Sequence, residues 1–354
     1  MEKKINLVAY HVPNIAVYHY AVNIYKSSPN IVNFYTLITR KNFYEKSSLE
    51  SVPIQGLFPY IGGNLNLNRL FPRLAFRNFY KSLHSAGNSP KQVMHYAAQY
   101  VMPLDNSLDN IVTVHDIMPL IGTSKVKPWE LRFIKRAVSI YSRFEYVLVN
   151  TEYVRKQLED YGFTGNIRVI PYPLSESFFP IENKVSLRRE LGLPLEKKLV
   201  LSVSGFNSNK NIPLIKELVH ILPDNYKIVR VGGAINGCIN FSNIENSVLN
   251  KIYNACDVLI QPSTDEGFGG PVVEAMATKL PMVVSDIEPF HEITQGYSYF
   301  ADPQQAVLFA KLIPIAIQNS ENYISKAFER SKFFSFDNFK QRIRSYYSSI
   351  LEQV

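Results

Sequence analysis

Residues 258–277 read VLIQPSTDEGFGGPVVEAMA, and this stretch indicates the architecture of the chain. Its apolar start, residues 258–260, predicts a buried strand. Pro271 suits the first turn of a helix, where a missing N–H costs nothing, and residues 275–277 continue that helix. Three glycines therefore separate the end of a strand from the start of a helix. Backbone N–H groups in such a turn converge on one spot, and the helix dipole favours an anion there.

A carboxylate stands at each end of this turn, Glu266 before it and Glu274 after it. Amides bind phosphate and carboxylates accept hydrogen bonds from hydroxyls, so the arrangement suits a sugar nucleotide. A simpler interpretation is that Gly267, Gly269 and Gly270 only form a tight turn while Glu274 complements the helix dipole.

The longer pattern around this turn resembles a known family. Residues 262–277 fit Pro-Ser-x-x-Glu-Gly-Phe-Gly-x-Pro-x-x-Glu-Ala-Met-Ala, and residues 281–289 continue as PMVVSDIEP. Both resemble the signature of the GT4-type retaining glycosyltransferases, which have the GT-B fold. Over most of the chain, the resemblance implies an α/β protein with two Rossmann-like parallel-sheet domains facing across a cleft and a C-terminal helix crossing back.

Size and composition agree with a two-domain protein. The 354 residues exceed one average core, and 46% of them are hydrophobic. Two cysteines are too few for a disulfide framework, and the N-terminus resembles a first strand rather than a signal peptide. No apolar run approaches the roughly 18 residues of a membrane span. We expect a cytoplasmic protein, with a peripheral position on the cytoplasmic membrane face as a possibility.

Short apolar strands alternate with helical patterns, which favours parallel α/β sheets. The proline-rich stretch 171–180 interrupts this alternation and predicts the interdomain linker. We therefore expect an N-terminal acceptor-side domain at residues 1–176 and a nucleotide-sugar domain at 177–334. Residues 335–354 are expected to form the helix that packs back on the first domain.

The loop at residues 204–211, SGFNSNKN, joins a predicted strand to a predicted helix. Lys210 near the helix start is placed to meet phosphate as a point charge, although a single lysine in a loop is usually only solvated. Lys-Asn here is similar to the family's pattern, in which an arginine often stands five residues earlier. Gly205 occupies that position, so Lys210 would carry most of the stabilisation of the leaving group.

Three further residues are candidates at the ends of N-terminal strands and turns. His115 ends the predicted strand at 111–114, and its Thr-Val-His-Asp-x-x-Pro context resembles the family's histidine that faces the donor sugar. His95 also ends a strand and is a candidate for the acceptor side. In the family, a first turn with two glycines lets the backbone approach the donor phosphate and the acceptor. Asn14 and Ala16 replace both glycines, so their side chains should narrow the space for that approach.

The whole net charge of +8 lies in the first half of the chain. Residues 1–176 hold 20 Lys or Arg against 12 Asp or Glu, whereas residues 177–354 hold 18 of each. Four cations recur at every fourth position beside interleaved aromatics, namely Arg69, Arg73, Arg77 and Lys81. On a helix such a stripe suits an anionic membrane or a lipid-linked pyrophosphate, or it is a solvated face over core aromatics. No motif typical of nucleic-acid binding is present, so we expect no nucleic-acid partner.

The resemblance assigns a role to each remaining candidate. Glu274 would hold ribose hydroxyls, with nucleobase contacts near Ile244. Glu266 and the amides of Phe268, Gly269 and Gly270 would hold the sugar, and Gly267 is a further donor-binding candidate in the same turn. The implied reaction moves a hexose from a GDP-mannose or UDP-glucose type donor to a glycan or lipid-linked acceptor. It retains the anomeric configuration and needs no metal or other cofactor; catalysis would involve His115, Lys210 and Glu266. A GT-B nucleotide-sugar epimerase or hydrolase, or a weakly catalytic scaffold, are the alternatives.

Overall fold

The computed structural model describes residues 4–11, 16–38, 56–58, 93–99, 109–319 and 321–353. The chain divides into two compact units, each built on its own parallel sheet, as the sequence predicts. Unit 1 comprises residues up to Leu120, Val126–Pro171 and Asp337–Val354, and unit 2 comprises Ile121–Lys125 and Tyr172–Phe336. The division near Pro171 lies close to the predicted linker. The short segment Ile121–Lys125 also belongs to unit 2, which the sequence did not predict.

Unit 1 contains a seven-stranded parallel sheet in the order β3-β2-β1-β4-β5-β6-β7. The strands are β1 (Ile5–His11), β2 (Val32–Ile38), β3 (Gly56–Phe58), β4 (Val93–Tyr96), β5 (Ile111–Val114), β6 (Tyr146–Val149) and β7 (Asn166–Val169). Within the described residues, the helices of this part of the chain are α1 (Ala16–Ser27), α2 (Met118–Ile121), α3 (Pro128–Tyr141) and α4 (Glu152–Tyr161). The fully buried strands β4, β5 and β6 are the continuous apolar runs expected of a sheet covered on both faces.

The last helix, α12 (Phe336–Gln353), packs within unit 1 from Asp337 onward. Arg344 Nε donates to Ser27 O at 2.8 Å, and Tyr146 Oη donates to Gln353 Oε1 at 2.8 Å. These two bonds tie the middle and the C-terminal end of the helix to the rest of unit 1.

Unit 2 contains a six-stranded parallel sheet in the order β10-β9-β8-β11-β12-β13. The strands are β8 (Lys198–Ser204), β9 (Tyr226–Gly232), β10 (Ile239–Phe241), β11 (Val258–Gln261), β12 (Met282–Ser285) and β13 (Tyr299–Ala301). Its helices are α5 (Lys184–Glu190), α6 (Ile212–Ile221), α7 (Asn246–Ala255), α8 (Gly270–Ala277), α9 (Glu288–Thr294), α10 (Ala306–Asn319) and α11 (Glu321–Ser331). A 3₁₀ turn, Ser208–Lys210, precedes α6.

Alternate side chains of β8 enter two different apolar cores. Leu199 and Leu201 pack in the cluster that includes Val272 of α8, whereas Val200 packs in the cluster that includes Ile215 of α6. This alternation follows from the period of two along a strand, and it shows that both faces of the sheet are covered.

The strand order of unit 2 reverses between β8 and β11. Ligands of open α/β sheets bind outside the carboxyl ends of the strands at such a point. Residues 205–211 follow β8 and residues 262–269 follow β11, so the topology brings together the two loops that the sequence analysis selects.

Candidate donor site

Lys210 and Glu266 form an ion pair between these two loops. Lys210 Nζ lies 2.5 Å from Glu266 Oε1, and the Glu266 side chain is only 7% exposed. The same oxygen accepts from Ser263 Oγ at 2.7 Å and from Gln261 Nε2 at 3.4 Å. Within the described residues Oε2 accepts no hydrogen bond, so it is available to a hydroxyl of a ligand. The structure brings these two predicted residues together, although 56 positions separate them.

Backbone and side-chain bonds join the two loops on either side of this pair. Thr264 N donates to Asn209 O at 2.8 Å, and Asn209 Nδ2 donates to Asp265 O at 2.9 Å. The Asp265 carboxylate accepts from Glu266 N at 2.8 Å and from Thr123 Oγ1 at 2.5 Å. Thr123 belongs to the short segment of unit 2 that lies far away in sequence. These bonds fix the distance between Lys210 and Glu266.

The glycine turn has the conformation that its sequence predicts. Gly269 has φ +102°, and a Cβ there would lie 2.7 Å from Phe290 Cε1, so only glycine fits without displacement. Helix α8 begins at Gly270 with Pro271 in its first turn. Phe268, Gly269 and Gly270 donate no backbone hydrogen bond within the described part of the chain. Their amides remain available for an anion or a sugar oxygen.

The Phe268 side chain has a different task from its backbone. Its ring is buried, with centroids 5.2 Å from Tyr172 and 5.7 Å from Phe334. The ring anchors the turn to the core, while Gly267 and Gly269 on either side leave the backbone uncovered by side chains. Sequence reasoning places Phe268 at the site, and the structure assigns its ring to packing.

Glu274 projects from α8 toward the glycine turn. A Cβ on Gly270 would lie 4.0 Å from Glu274 Oε1, and Glu274 Oε2 accepts from Tyr253 Oη at 2.6 Å. Burial raises the pKa of Glu274 to about 7, because desolvation penalises the carboxylate more than the hydrogen bond from Tyr253 favours it. Sequence reasoning missed Tyr253, which is fully buried on α7.

Gly205 and Ile244 flank this region at the ends of β8 and β10. A Cβ on Gly205 would meet nothing within 4 Å, so there is open space at this position of the loop, five residues before Lys210. Ile244 is partly buried against the core that also holds Val272. The nucleobase role of Ile244 stays a prediction.

His115 lies in unit 1, after β5, with a nearly buried imidazole. Its Nε2 lies 2.8 Å from Ala97 O, which can only accept, so Nε2 carries the proton. Nδ1 lies 3.0 Å from Asn150 Nδ2 and accepts from it. Burial lowers the pKa of His115 to about 4, so the ring is neutral at neutral pH. Its contact with the donor sugar stays a prediction.

His95 is completely buried in unit 1. Its Nδ1 lies 2.6 Å from Tyr347 Oη of α12, and its Nε2 lies 2.8 Å from Thr113 Oγ1 of β5. A ring with no exposed surface and both nitrogens hydrogen-bonded does not line an acceptor surface. The expectation for His95 is corrected accordingly: it joins α12 to the sheet.

The remaining N-terminal candidates lie outside the described residues, namely Asn14, Arg69, Arg73, Arg77 and Lys81. Among the residues that the structure does describe, no helix is long and apolar enough to cross a bilayer. The same part of the chain holds no cluster of three or more His, Cys, Asp or Glu side chains arranged to bind a metal ion.

Comparisons with known proteins agree with this fold. Residues 183–330 match the family described as glycosyl transferases group 1. The O-antigen chain mannosyltransferase RfbU of Salmonella typhimurium is 26% identical in an alignment of 255 residues that covers 66% of this chain and 67% of that protein.

Solved structures share the fold over the full length. The sucrose-phosphate synthase of Thermosynechococcus elongatus covers 100% of both chains with a TM-score of 0.78 at 16% identity. HepE of Anabaena, solved in complex with UDP-glucose, has a TM-score of 0.77 at 16% identity and covers 98% of this chain and 100% of its own. The chain has the GT-B fold, and most of unit 2 matches the glycosyl transferases group 1. It is a glycosyltransferase.

Proposed function

We propose that the chain moves a hexose from a nucleotide-diphosphate sugar, of the GDP-mannose or UDP-glucose type, to a glycan or lipid-linked acceptor. The observation that carries this proposal is the pairing of Lys210 with Glu266 at the strand-order reversal. Beside this pair lie the amides of residues 268–270, which donate no hydrogen bond within the described residues. The mannosyltransferase RfbU and the UDP-glucose complex of HepE support the two donor types.

Each group has a distinct part in the proposed reaction. Lys210 neutralises the diphosphate as the sugar–phosphate bond breaks, and preorganised charge of this kind stabilises a transition state. Oε2 of Glu266 accepts from a sugar hydroxyl while Oε1 stays on Lys210. The amides of residues 268–270 receive further ligand oxygens, and Glu274 holds the ribose hydroxyls.

We propose retention of the anomeric configuration without a metal ion. In this scheme the departing phosphate oxygen takes the proton of the acceptor hydroxyl on the same face of the sugar, so no side chain acts as the general base. The charge that a metal would supply to the diphosphate comes from Lys210 and the backbone amides. A peripheral membrane position would suit a lipid-linked acceptor.

The test is sugar transfer from radiolabelled GDP-mannose and UDP-glucose to extracted glycans and lipids, in the presence of EDTA. We expect transfer with one donor and a product whose anomeric coupling constant in NMR matches the donor. Lys210→Ala and Glu266→Gln should each lower kcat/KM by about a hundredfold, the usual cost of removing one transition-state contact. Lys216→Ala is the matched control, since Lys216 is exposed on α6 and its side chain makes no hydrogen bond or ion pair within the described residues.

Other outcomes would reject the proposal in defined ways. Conversion of the donor with no acceptor present would indicate an epimerase or hydrolase. Donor binding without turnover on any extract would indicate a scaffold. Loss of transfer in EDTA that returns with Mg²⁺ would contradict the metal-independent part alone.

A further inference from the structure

The guanidinium of Arg230 lies under the loop that follows β8. Arg230 belongs to β9 and is fully buried. Nη1 donates to Ser202 O at 3.1 Å and to Val231 O at 2.9 Å. Nη2 donates to Ser204 Oγ at 2.9 Å, to Gly205 O at 3.3 Å and to Ser204 O. Four main-chain carbonyls and one hydroxyl therefore surround one cation.

This cation has no anionic partner among the described residues. No carboxylate there lies within ion-pair distance of it, and its Nε has no hydrogen-bond acceptor. Burying an unpaired charge is costly, because carbonyl dipoles replace only part of the lost hydration. Burial lowers the pKa of Arg230 for that reason, yet arginine stays protonated in proteins. A net positive charge thus persists beneath the carboxyl end of β8.

A purely structural role explains this arrangement poorly. Strands β8 and β9 are already paired in parallel from Lys198 and Tyr226 to Ser204 and Gly232. The buried Arg188 of α5 shows the usual solution for a structural arginine in this unit, since its Nη2 lies 2.6 Å from the carboxylate of Asp257. Arg230 lacks such a partner and sits next to a loop that has open space on its other side.

The geometry of the peptide bond links Arg230 to that open side. The carbonyls of Ser204 and Gly205 point at the guanidinium, and in a trans peptide the N–H points opposite to the C=O. The amides of Gly205 and Phe206 are consequently directed away from Arg230. Neither amide donates a hydrogen bond within the described residues. Successive unpaired amides in a turn form an anion-binding concavity.

We propose that Arg230 is a positioning residue for the diphosphate of the donor. It holds two carbonyls inward so that two amides face the anion, and its charge adds to theirs from beneath the loop. Lys210 of the same loop then acts from the other side of the diphosphate. This inference rests on the proposed function, because it requires a diphosphate at the loop after β8.

The test is calorimetric binding of UDP and GDP, each compared with its nucleoside, uridine or guanosine. Arg230→Met should lower the affinity for whichever diphosphate the unmodified protein binds by about tenfold or more. The affinity for the corresponding nucleoside should stay within about twofold. The diphosphate affinity of Arg230→Lys should lie between that of the unmodified protein and that of Arg230→Met, because lysine keeps the charge but cannot hold five acceptors. Arg188→Lys is the matched control: it alters a buried arginine of the same unit and should change both ligands alike.

A second substitution tests the charge separately. Gly205→Arg places a cation in the open space above the loop, since a Cβ there meets nothing within 4 Å. In the Arg230→Lys background it should restore diphosphate affinity at least threefold. If Arg230→Met does not fold, Arg230→Lys alone and with Gly205→Arg decides the matter.

The outcomes separate this inference from the proposed function. If the unmodified protein binds neither UDP nor GDP, the proposed donor site is wrong. If it binds one of them and Lys210→Ala weakens it, but both Arg230 variants keep the diphosphate affinity within twofold, the role of Arg230 is wrong. An equal loss of nucleoside and diphosphate would make Arg230 a structural residue and would also overturn the inference.

Discussion

At the scale of single residues, Glu274 is a buried group whose protonation responds to pH near neutrality. Its folded pKa of about 7 lies above the ordinary value of 4.5, so the folded state holds its proton more tightly than the unfolded state. Stability from this group is therefore present below pH 4.5 and is lost as pH rises through 7. Between pH 5.5 and 8, the native protein should lose up to about 2 kcal/mol of unfolding free energy relative to Glu274→Gln.

Urea unfolding of both proteins at the two pH values measures this difference. Glutamine cannot titrate, so the difference between the two proteins removes the pH response that every other group contributes to both. An identical pH response of the two proteins would show that Glu274 is not held protonated.

Glu266, Glu274 and Lys210 could be predicted from the sequence because each lies in a local pattern of strand, turn and helix. Their partners could not. Tyr253 and Thr123 reach the site from distant parts of the chain, and no short-range signal marks a residue whose role depends on tertiary packing.

At the scale of elements, one of the hydrogen bonds that join α12 to unit 1 is buried and has a natural control beside it. Tyr347 Oη bonds His95 Nδ1 at 2.6 Å, whereas the neighbouring Tyr346 Oη is buried with no partner among the described residues. Tyr347→Phe leaves a buried ring nitrogen unpaired and should cost about 1–3 kcal/mol. Tyr346→Phe removes an unsatisfied hydroxyl and should be neutral or stabilising.

Tryptophan fluorescence can follow this comparison, because Trp129 of α3 is the sole tryptophan of the chain and lies in unit 1. Equal destabilisation by both substitutions would contradict the assignment of the His95–Tyr347 bond.

Longer elements such as β8 and α6 were predictable from apolar runs of sufficient length. The three-residue strands β10 and β13 are too short to produce a periodic signal, so the sequence did not predict them. Helix α11 was not predicted either.

At the scale of the whole molecule, the two units should respond to acid in opposite directions. Burial lowers the pKa of His95 to about 3 and that of His115 to about 4, against an ordinary 6.5. Below pH 6.5 these two histidines bind protons in the unfolded state but stay neutral in the folded state, so unit 1 loses stability as pH falls. The expected loss at pH 5 is about 2 kcal/mol for each histidine. Glu274 makes unit 2 more stable over the same range.

Thermal unfolding at pH 8 and pH 5 measures this divergence. The Trp129 transition should move to lower temperature at pH 5, and the far-ultraviolet dichroism, which records both units, should broaden or split. A Trp129 midpoint that stays constant or rises would contradict the burial of neutral histidines in unit 1. The charge asymmetry of the sequence did not indicate this behaviour, because burial rather than net charge produces it.

The central claim is that the loops after β8 and β11 bind a nucleotide-sugar diphosphate through Lys210. The most direct measurement is thermal unfolding with a panel of nucleotide sugars in EDTA, on the native protein, Lys210→Ala and the surface control Lys216→Ala. A ligand at about 100 times its Kd adds about 2.7 kcal/mol of stability. We predict that donors of one base stabilise the native protein and Lys216→Ala but not Lys210→Ala. Stabilisation by no donor, or equal stabilisation of Lys210→Ala, would contradict the claim.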